Sequence, residues 1–195
     1  MNSQKGQWHL LRAVKELIGD GLPIHLLILG EGELREALER EAARLKIENA
    51  VTFAGFVENP YKYMAHADAV VIPSLYEGVS NVMIEALACG APVISTDHET
   101  GAREILAPDT DHRVKVKDRI DEAAYGILVP VCEGAIGENS HNDTVQESFM
   151  AEAIRRILTD GDLAKRYREA ALRRAEQMDI RSVCRQWIRL IEEGC

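Results

Sequence analysis

The chain of 195 residues is short of cysteine, proline and aromatic side chains: it has four cysteines and six prolines, and Phe, Trp and Tyr together make up 5%. Cys89, Cys132, Cys184 and Cys195 are too far apart for a C-x-x-C clip, which argues against a four-thiolate zinc site. An even cysteine count in a long chain with no secretion pattern does not imply disulfides. All four are expected as reduced thiols in a cytoplasmic setting, with Cys89 a small buried hydrophobe. The six histidines are scattered. His98-Glu99 begins like an H-E-x-x-H helix, but Ala102 stands where the second histidine belongs, so no metal site is expected. Positive charge is also in deficit: 23 Lys+Arg against 32 Asp+Glu leave −9, which argues against nucleic acid as the main partner. No apolar run reaches the length of a membrane span, and Gln4, Lys5, Gln7, His9 and Arg12 interrupt any signal-peptide core. What is plentiful is ordinary globular composition, 46% apolar and 28% charged. A chain of this size buries roughly 70% of its unfolded surface, enough for one domain or one with a small appendage.

The hydrophobic period changes repeatedly. Trp8, Leu11, Val14, Leu17 and Ile18 are spaced as on a helix from Lys5 to Ile18. Pro23 then opens an apolar run, Ile24 to Leu29, which Gly30 ends: a short buried strand. A helix over Glu33 to Leu45 and a strand at Val51-Thr52-Phe53 follow. Asn59-Pro60 starts another helix, with proline in its first turn, and Ala69 to Ile72 is a strand stopped by Pro73. Asn81 to Cys89 is helical, Pro92 to Ser95 extended, Gly101 to Leu106 helical, and Gly126 to Val129 extended. Strands alternating with helices predict a doubly wound parallel sheet with helices on both faces, whose ligands bind at the carboxyl ends of the strands. Two polar stretches, Ala107 to Ala124 and Glu133 to Thr144, read as long loops on that side. From Val145 onward the chain reads as helix: about Val145 to Thr159, Asp162 to Gln177, and Ile180 to Glu192.

Two glycine turns invite comparison. Gly30-Glu31-Gly32-Glu33-Leu34-Arg35 starts like the dinucleotide fingerprint G-x-G-x-x-G, but Arg35 replaces the third glycine and two glutamates stand where a pyrophosphate would sit. That argues against a nicotinamide dehydrogenase and leaves a strand-to-helix turn bordering the cleft. The segment Glu77-Gly78-Val79-Ser80-Asn81 is more informative. It follows a strand and a Pro-Ser loop and opens a helix, so the backbone N–H groups of Val79 to Val82 form an anion site favoured by the helix dipole. Gly78 allows close approach, and Glu77 lies beside the site. Glu85 lies one turn further on the face of Asn81, where a carboxylate suits a ribose diol. The small and apolar neighbours of Glu85 predict a helix buried nearly all round.

The block from Asp68 to Leu106 resembles the carboxyl-terminal half of a family 4 retaining glycosyltransferase of the GT-B fold. The resemblance rests on Glu77 and Glu85 in an E-x7-E spacing, followed by Ala86-Leu87-Ala88-Cys89-Gly90-Ala91-Pro92-Val93-Ile94. Lys5-Gly6 with Leu10-Leu11, the run Leu26 to Gly32, and Phe53 to Val57 are similar to further blocks of that family, and Tyr125 to Pro130 is similar to its bacterial surface-polysaccharide branch. The resemblance implies a Rossmann-like donor domain over residues 1–195, with 145–195 a helical extension and the amino-terminal acceptor half absent. It implies that Lys5 contacts the donor diphosphate and Glu77 the donor sugar as the catalytic-site acid. The backbone of Gly78, Val79, Ser80 and Asn81 would hold sugar and phosphate, Glu85 the ribose, and the backbone near Val57 the base. Ser80 replaces a frequent glycine and Asn81 a frequent aliphatic, and both bear on the choice of sugar. The family pairs Lys5 with an upstream arginine, and Met1 comes too late for it.

The expected function is transfer of a hexose or N-acetylhexosamine from a nucleotide sugar, UDP-linked, to a glycan or lipid-linked acceptor with retention, at the cytoplasmic face of the inner membrane. No cofactor or metal is implied. Two other readings stand: a GT-B-like nucleotide-sugar epimerase, and a non-catalytic nucleotide-binding domain. Retention of Lys5, Glu77 and Glu85 together argues against the last. Ile180, Val183, Cys184, Trp187, Leu190 and Ile191 form one apolar stripe that either packs on its own domain or drives self-association.

Overall fold

The computed structural model describes residues 1–136 and 144–193. Five strands and five helices alternate through its first part: α1 (Gln7–Gly19), β1 (Leu26–Leu29), α2 (Arg35–Arg44), β2 (Val51–Gly55), α3 (Tyr61–His66), β3 (Val70–Ile72), α4 (Asn81–Ala88), β4 (Val93–Thr96), α5 (Ala102–Leu106) and, after a long connection, β6 (Ile127–Val129). The connection holds a further short strand, β5 (Asp121–Glu122), and three helices close the chain: α6 (Val145–Thr159), α7 (Gly161–Gln177) and α8 (Ile180–Glu192). Most of the expected loop from Glu133 to Thr144 lies outside the described residues.

The strands pair in parallel, with two departures from a single doubly wound sheet. β1 and β2 form one hydrogen-bonded pair, Leu26 opposite Val51, while β3, β4, β6 and β5 form a separate sheet in that order. Val70 pairs with Val93, and Ile94 with Ile127. β5 runs antiparallel to β6 within the stretch expected to be structureless. Two residues are too few for a readable period, and Asp121 and Glu122 are both polar because each serves a partner: Asp121 an arginine of α5, Glu122 an arginine of α6.

Side-chain alternation divides the core. Ile94, Ile127 and Val129 face a cluster with Trp8, Leu11 and Leu17 of α1, Leu38 of α2, and Met150, Ile154 and Ile157 of α6. Val93 and Leu128 face the other way, onto Met83 and Leu87 of α4, Ile105 and Leu106 of α5, and Ala171 of α7. Helices therefore cover both faces, as expected, and every residue of the central strands β4 and β6 is buried whichever way it points. Beneath the first cluster lies a buried ionic network. Glu147 accepts from His9 Nδ1 at 2.6 Å and from Arg12 at 3.0 Å, while Arg12 also reaches Glu41 at 3.2 Å. The same Glu147 closes a capping box with Thr144 at the start of α6.

Three side-chain expectations change. α4 is not buried nearly all round: Met83, Ala86 and Leu87 are covered, but Asn81, Val82 and Ala88 are exposed and Glu85 is half-buried. The helix packs on α7, and less on α3 and β4, which leaves Asn81 exposed and Glu85 half-covered. The cysteine that behaves as a buried hydrophobe is Cys132, whose thiol burial pushes up to about 12, whereas Cys89 is only partly covered. α8 has no buried residue; Trp187 is 64% exposed and Ile191 74%, so its stripe does not pack on its own domain. Among the described residues no helix is long and apolar enough to cross a membrane.

Candidate functional site

The site is assembled by two loops and the first turn of the chain. Gly6 links a short 3-10 turn (Ser3–Lys5) to α1 with φ +58. A Cβ there would stand 2.2 Å from the Pro73 carbonyl oxygen, so only glycine lets the turn settle on the β3–α4 loop. The turn is held by two hydrogen bonds, from Leu75 N to Gln4 O and from Gln4 Nε2 to Tyr76 O, each 2.8 Å. Lys5 is thereby placed with Nζ donating to Glu77 Oε1 at 2.6 Å, and the Ser74 hydroxyl donates to the same oxygen at 2.5 Å. The Glu77 side chain is 6% exposed and that of Lys5 39%, so the pair has one wet and one dry member.

Burial alone would push the Glu77 carboxyl up. The hydrogen bonds from Lys5 and Ser74, the nearby Ser80 hydroxyl and the charge of Lys5 together outweigh it and hold the group below its ordinary value of 4.5. Ser80 acts by proximity, since its buried Oγ has no partner in hydrogen-bond geometry. Glu77 is therefore a carboxylate at neutral pH.

The β4–α5 loop latches onto the Glu77 loop from the other side. Thr100 Oγ1 donates to the Glu77 carbonyl, and a Cβ on Gly101, at φ +88, would stand 2.2 Å from the Gly78 carbonyl oxygen. Asp97, buried at the carboxyl end of β4, anchors this latch. It accepts from Arg103 at 2.7 and 3.1 Å and from the Val116 amide at 2.9 Å, while Arg103 also reaches Asp121 at 3.0 Å.

Ser80 has extended backbone (φ −81, ψ 103) and makes no side-chain cap, so the first amides of α4 remain available as anion donors at the mouth of the loop. Val79 and Asn81 are exposed there, and Gly78 is exposed with nothing near a would-be Cβ. Glu85 lies one turn into α4 on the Asn81 face; after burial, its charge is the second influence raising the Cys89 thiol, one further turn along. Val57 sits partly covered just past β2, beside a Phe56 that is 78% exposed. The structure thus joins Lys5 to Glu77 directly and sets Gly78 to Asn81 at the same loop. Among the described residues no hydrogen bond or ion pair joins Val57 or Glu85 to that pair. Sequence reading missed Ser74, Asp97, His98, Thr100 and Arg103. Ser74 alone gave a signal, a polar residue after the proline that stops β3.

A cleft of about 680 Å³ opens beside Glu77, walled by Asp97 to Thr100, Lys115 to Lys117, Pro130 and Gln146. Another hollow, of about 510 Å³, is lined by Leu22, Pro23 and Asp68, at the amino ends of β1 and β3. Sheets of this kind bind at the carboxyl ends of their strands, so the first is the candidate site. Among the described residues no group of three His, Cys, Asp or Glu side chains is placed to hold a metal ion.

Residues 1–129 match the family model described as glycosyl transferases group 1. An uncharacterized glycosyltransferase of Methanocaldococcus jannaschii is 37% identical over 198 residues, which cover 98% of this chain and 48% of that protein. The N-acetylgalactosamine-N,N'-diacetylbacillosaminyl-diphospho-undecaprenol 4-alpha-N-acetylgalactosaminyltransferase of Campylobacter jejuni is 35% identical, over 96% of this chain and 44% of its own length. This chain therefore spans about half the length of these relatives. Among solved structures, Anabaena HepE in complex with UDP superposes with a TM-score of 0.75 at 22% identity, over 98% of this chain and 46% of the other. Staphylococcus aureus TarM superposes with 0.77 at 21%, over 97% and 33%. At those identities the likeness establishes the fold, one half of the GT-B arrangement. With the family model covering most of the chain and a relative at 37% identity over nearly all of it, the chain belongs to the group 1 glycosyltransferases.

Proposed function

We propose that this chain is the donor-binding half of a retaining glycosyltransferase. The donor is a nucleotide sugar, UDP-linked, carrying a hexose or N-acetylhexosamine. The acceptor is a glycan or a lipid-linked sugar of bacterial surface polysaccharide or oligosaccharide synthesis, made at the cytoplasmic face of the inner membrane. The observation that carries this reading is the Lys5–Glu77 contact of 2.6 Å at the mouth of α4, on the carboxyl side of the sheet. It puts a cation, a dry carboxylate and a helix amino terminus within one loop. The C. jejuni relative acts on a lipid-linked sugar by its name, and the Anabaena neighbour holds UDP, which supports the same substrate classes here.

The chemistry follows from charge. As the sugar–phosphate bond breaks, negative charge develops on the departing diphosphate. Lys5, whose side chain is partly exposed and can turn from Glu77 toward solvent, and the first amides of α4 take up that charge without a metal. Glu77, kept ionised by its neighbours, faces the sugar as hydrogen-bond acceptor and electrostatic partner of the carbon that becomes electron-poor. Glu85 on the Asn81 face of α4 accepts from the ribose hydroxyls, and the backbone at Val57 meets the base. Calorimetry tests the reading: UDP should bind the isolated chain, while glucose or N-acetylhexosamine transfer from a UDP-sugar to an added glycan should not occur with this chain alone. Absence of UDP binding would refute the donor site, and transfer by this chain alone would refute its being only the donor half.

A further inference from the structure

Glu77 is flanked by buried polar atoms that have no partner. These are Ser80 Oγ and both ring nitrogens of His98, each near enough to Glu77 to feel or shift its charge. Buried polar groups are nearly always hydrogen-bonded, so such a pair beside one carboxylate points to a ligand. His98 is 1% exposed, yet its residue forms part of the wall of the 680 Å³ cleft together with Glu77, Lys115 and Gln146. Its backbone is pinned on both sides. The preceding Asp97 is tied to Arg103, the His98 carbonyl accepts from Lys115 Nζ at 3.1 Å, and Thr100 is bonded to the Glu77 carbonyl. The orphaned nitrogens are therefore a feature of a braced loop.

We propose that His98 reads the donor sugar: its imidazole hydrogen-bonds a hydroxyl or amide of a neutral sugar seated in the cleft on the β4 side of Glu77. This assignment rests on the donor-site reading above. Burial, the largest influence, lowers the His98 pKa and the charge of Lys115 adds to it; the Glu77 carboxylate, the nearby Thr100 backbone and the Asp97 carboxylate only partly offset this, so the ring is neutral at neutral pH. A neutral imidazole offers one N–H and one lone pair, the complement of a sugar hydroxyl, which also donates and accepts. Of the carboxylates that line the cleft, Glu77 is paired with Lys5 and Asp97 with Arg103, which leaves Glu99 and Glu133 against Lys115 and Lys117. That even balance suits a neutral sugar and offers an acidic one no unopposed cation.

The test is calorimetric binding of UDP, UDP-glucose, UDP-N-acetylglucosamine and UDP-glucuronate to the wild-type chain and to His98→Phe and His98→Asn. UDP should bind all three proteins equally, which also reports intact folding. At least one neutral UDP-sugar should bind the wild type more tightly than UDP. His98→Phe should lose about 5- to 10-fold of that affinity, His98→Asn should keep most of it, and UDP-glucuronate should gain nothing over UDP. His98→Phe binding every UDP-sugar like the wild type, with UDP unaffected, would overturn the assignment. So would a wild type that binds neutral UDP-sugars no better than UDP. If His98→Phe misfolds and loses UDP, the imidazole nitrogen resonances of wild-type His98 decide: they should move with a neutral UDP-sugar and not with UDP, and their failure to move rejects the role. If UDP itself does not bind the wild type, the donor site falls and this role falls with it.

Discussion

Lys5 and Glu77 are separated by 72 positions, and the contact between them exists because Gly6 accepts φ +58 against the Pro73 carbonyl. Gly6→Ala forces a Cβ into that oxygen in a strained backbone region and should destabilise the chain by about 1–3 kcal/mol, read as a lower urea midpoint. It should also weaken UDP binding, because Lys5 loses its seat. The two glutamates should separate cleanly. Glu85→Ala removes the charged acceptor of the ribose hydroxyls; the loss of even one such bond, roughly 1.5–3 kcal/mol, should lower UDP affinity about 10- to 150-fold. Glu77→Ala should leave UDP affinity unchanged or slightly raised, since it frees Lys5 for the phosphates, while abolishing transfer in the full-length enzyme. Equal losses of UDP affinity in both variants, measured by calorimetry, would contradict that division.

The connection of α1, α2 and α6 through Arg12, His9, Glu41 and Glu147 is a packing of helices by charge as well as by apolar contact. Burial pushes the Glu147 carboxyl up, but bonds from His9, the Thr144 amide and Arg12 reverse this and hold it below 4.5. A depressed carboxyl stabilises the fold above its unfolded pKa and loses that contribution as pH falls through the folded value. At pH 7, Glu147→Gln should therefore lower stability by about 3–5 kcal/mol, the range for breaking a buried ion pair by changing one partner. Below pH 4.5 the gap between wild type and variant should narrow as wild-type Glu147 takes up its proton. Urea unfolding at a series of pH values measures it; a gap that stays constant down to pH 3 would show that the charge of Glu147 is not what joins the helices.

Among the described residues, α8 carries a run of exposed apolar side chains along one helix. Ile180, Trp187, Ile188, Leu190 and Ile191 are each more than half exposed, while Arg181, Arg185 and Arg189 occupy the opposite face. Exposed stripes of this size drive association. The isolated chain should therefore show a light-scattering mass that rises with concentration, and Trp187→Asp with Ile191→Asp should return it to the monomer without changing UDP affinity. A wild-type monomer at all concentrations would leave the stripe without this role.

The alternation of strand and helix from Leu26 to Val129 was legible because each element carries its own period and its own stop: Pro73 after β3, Gly90 after α4, Pro130 after β6. The acids Glu77 and Glu85 and the glycine between strand and helix were legible as residue types at a spacing, and Lys5 through the family resemblance alone. Their surroundings were not. β5 escaped because a two-residue antiparallel strand has no pattern. His98 escaped because nothing in the order Thr96-Asp97-His98-Glu99 says that the second and third are buried and the fourth is not. That Ser74 bonds the Glu77 carboxylate, Thr100 the Glu77 carbonyl and Arg103 the neighbouring Asp97 depends on how separate loops come together. A local pattern encodes which face of an element meets the core; which loops then touch is decided only when the helices have packed on the sheet.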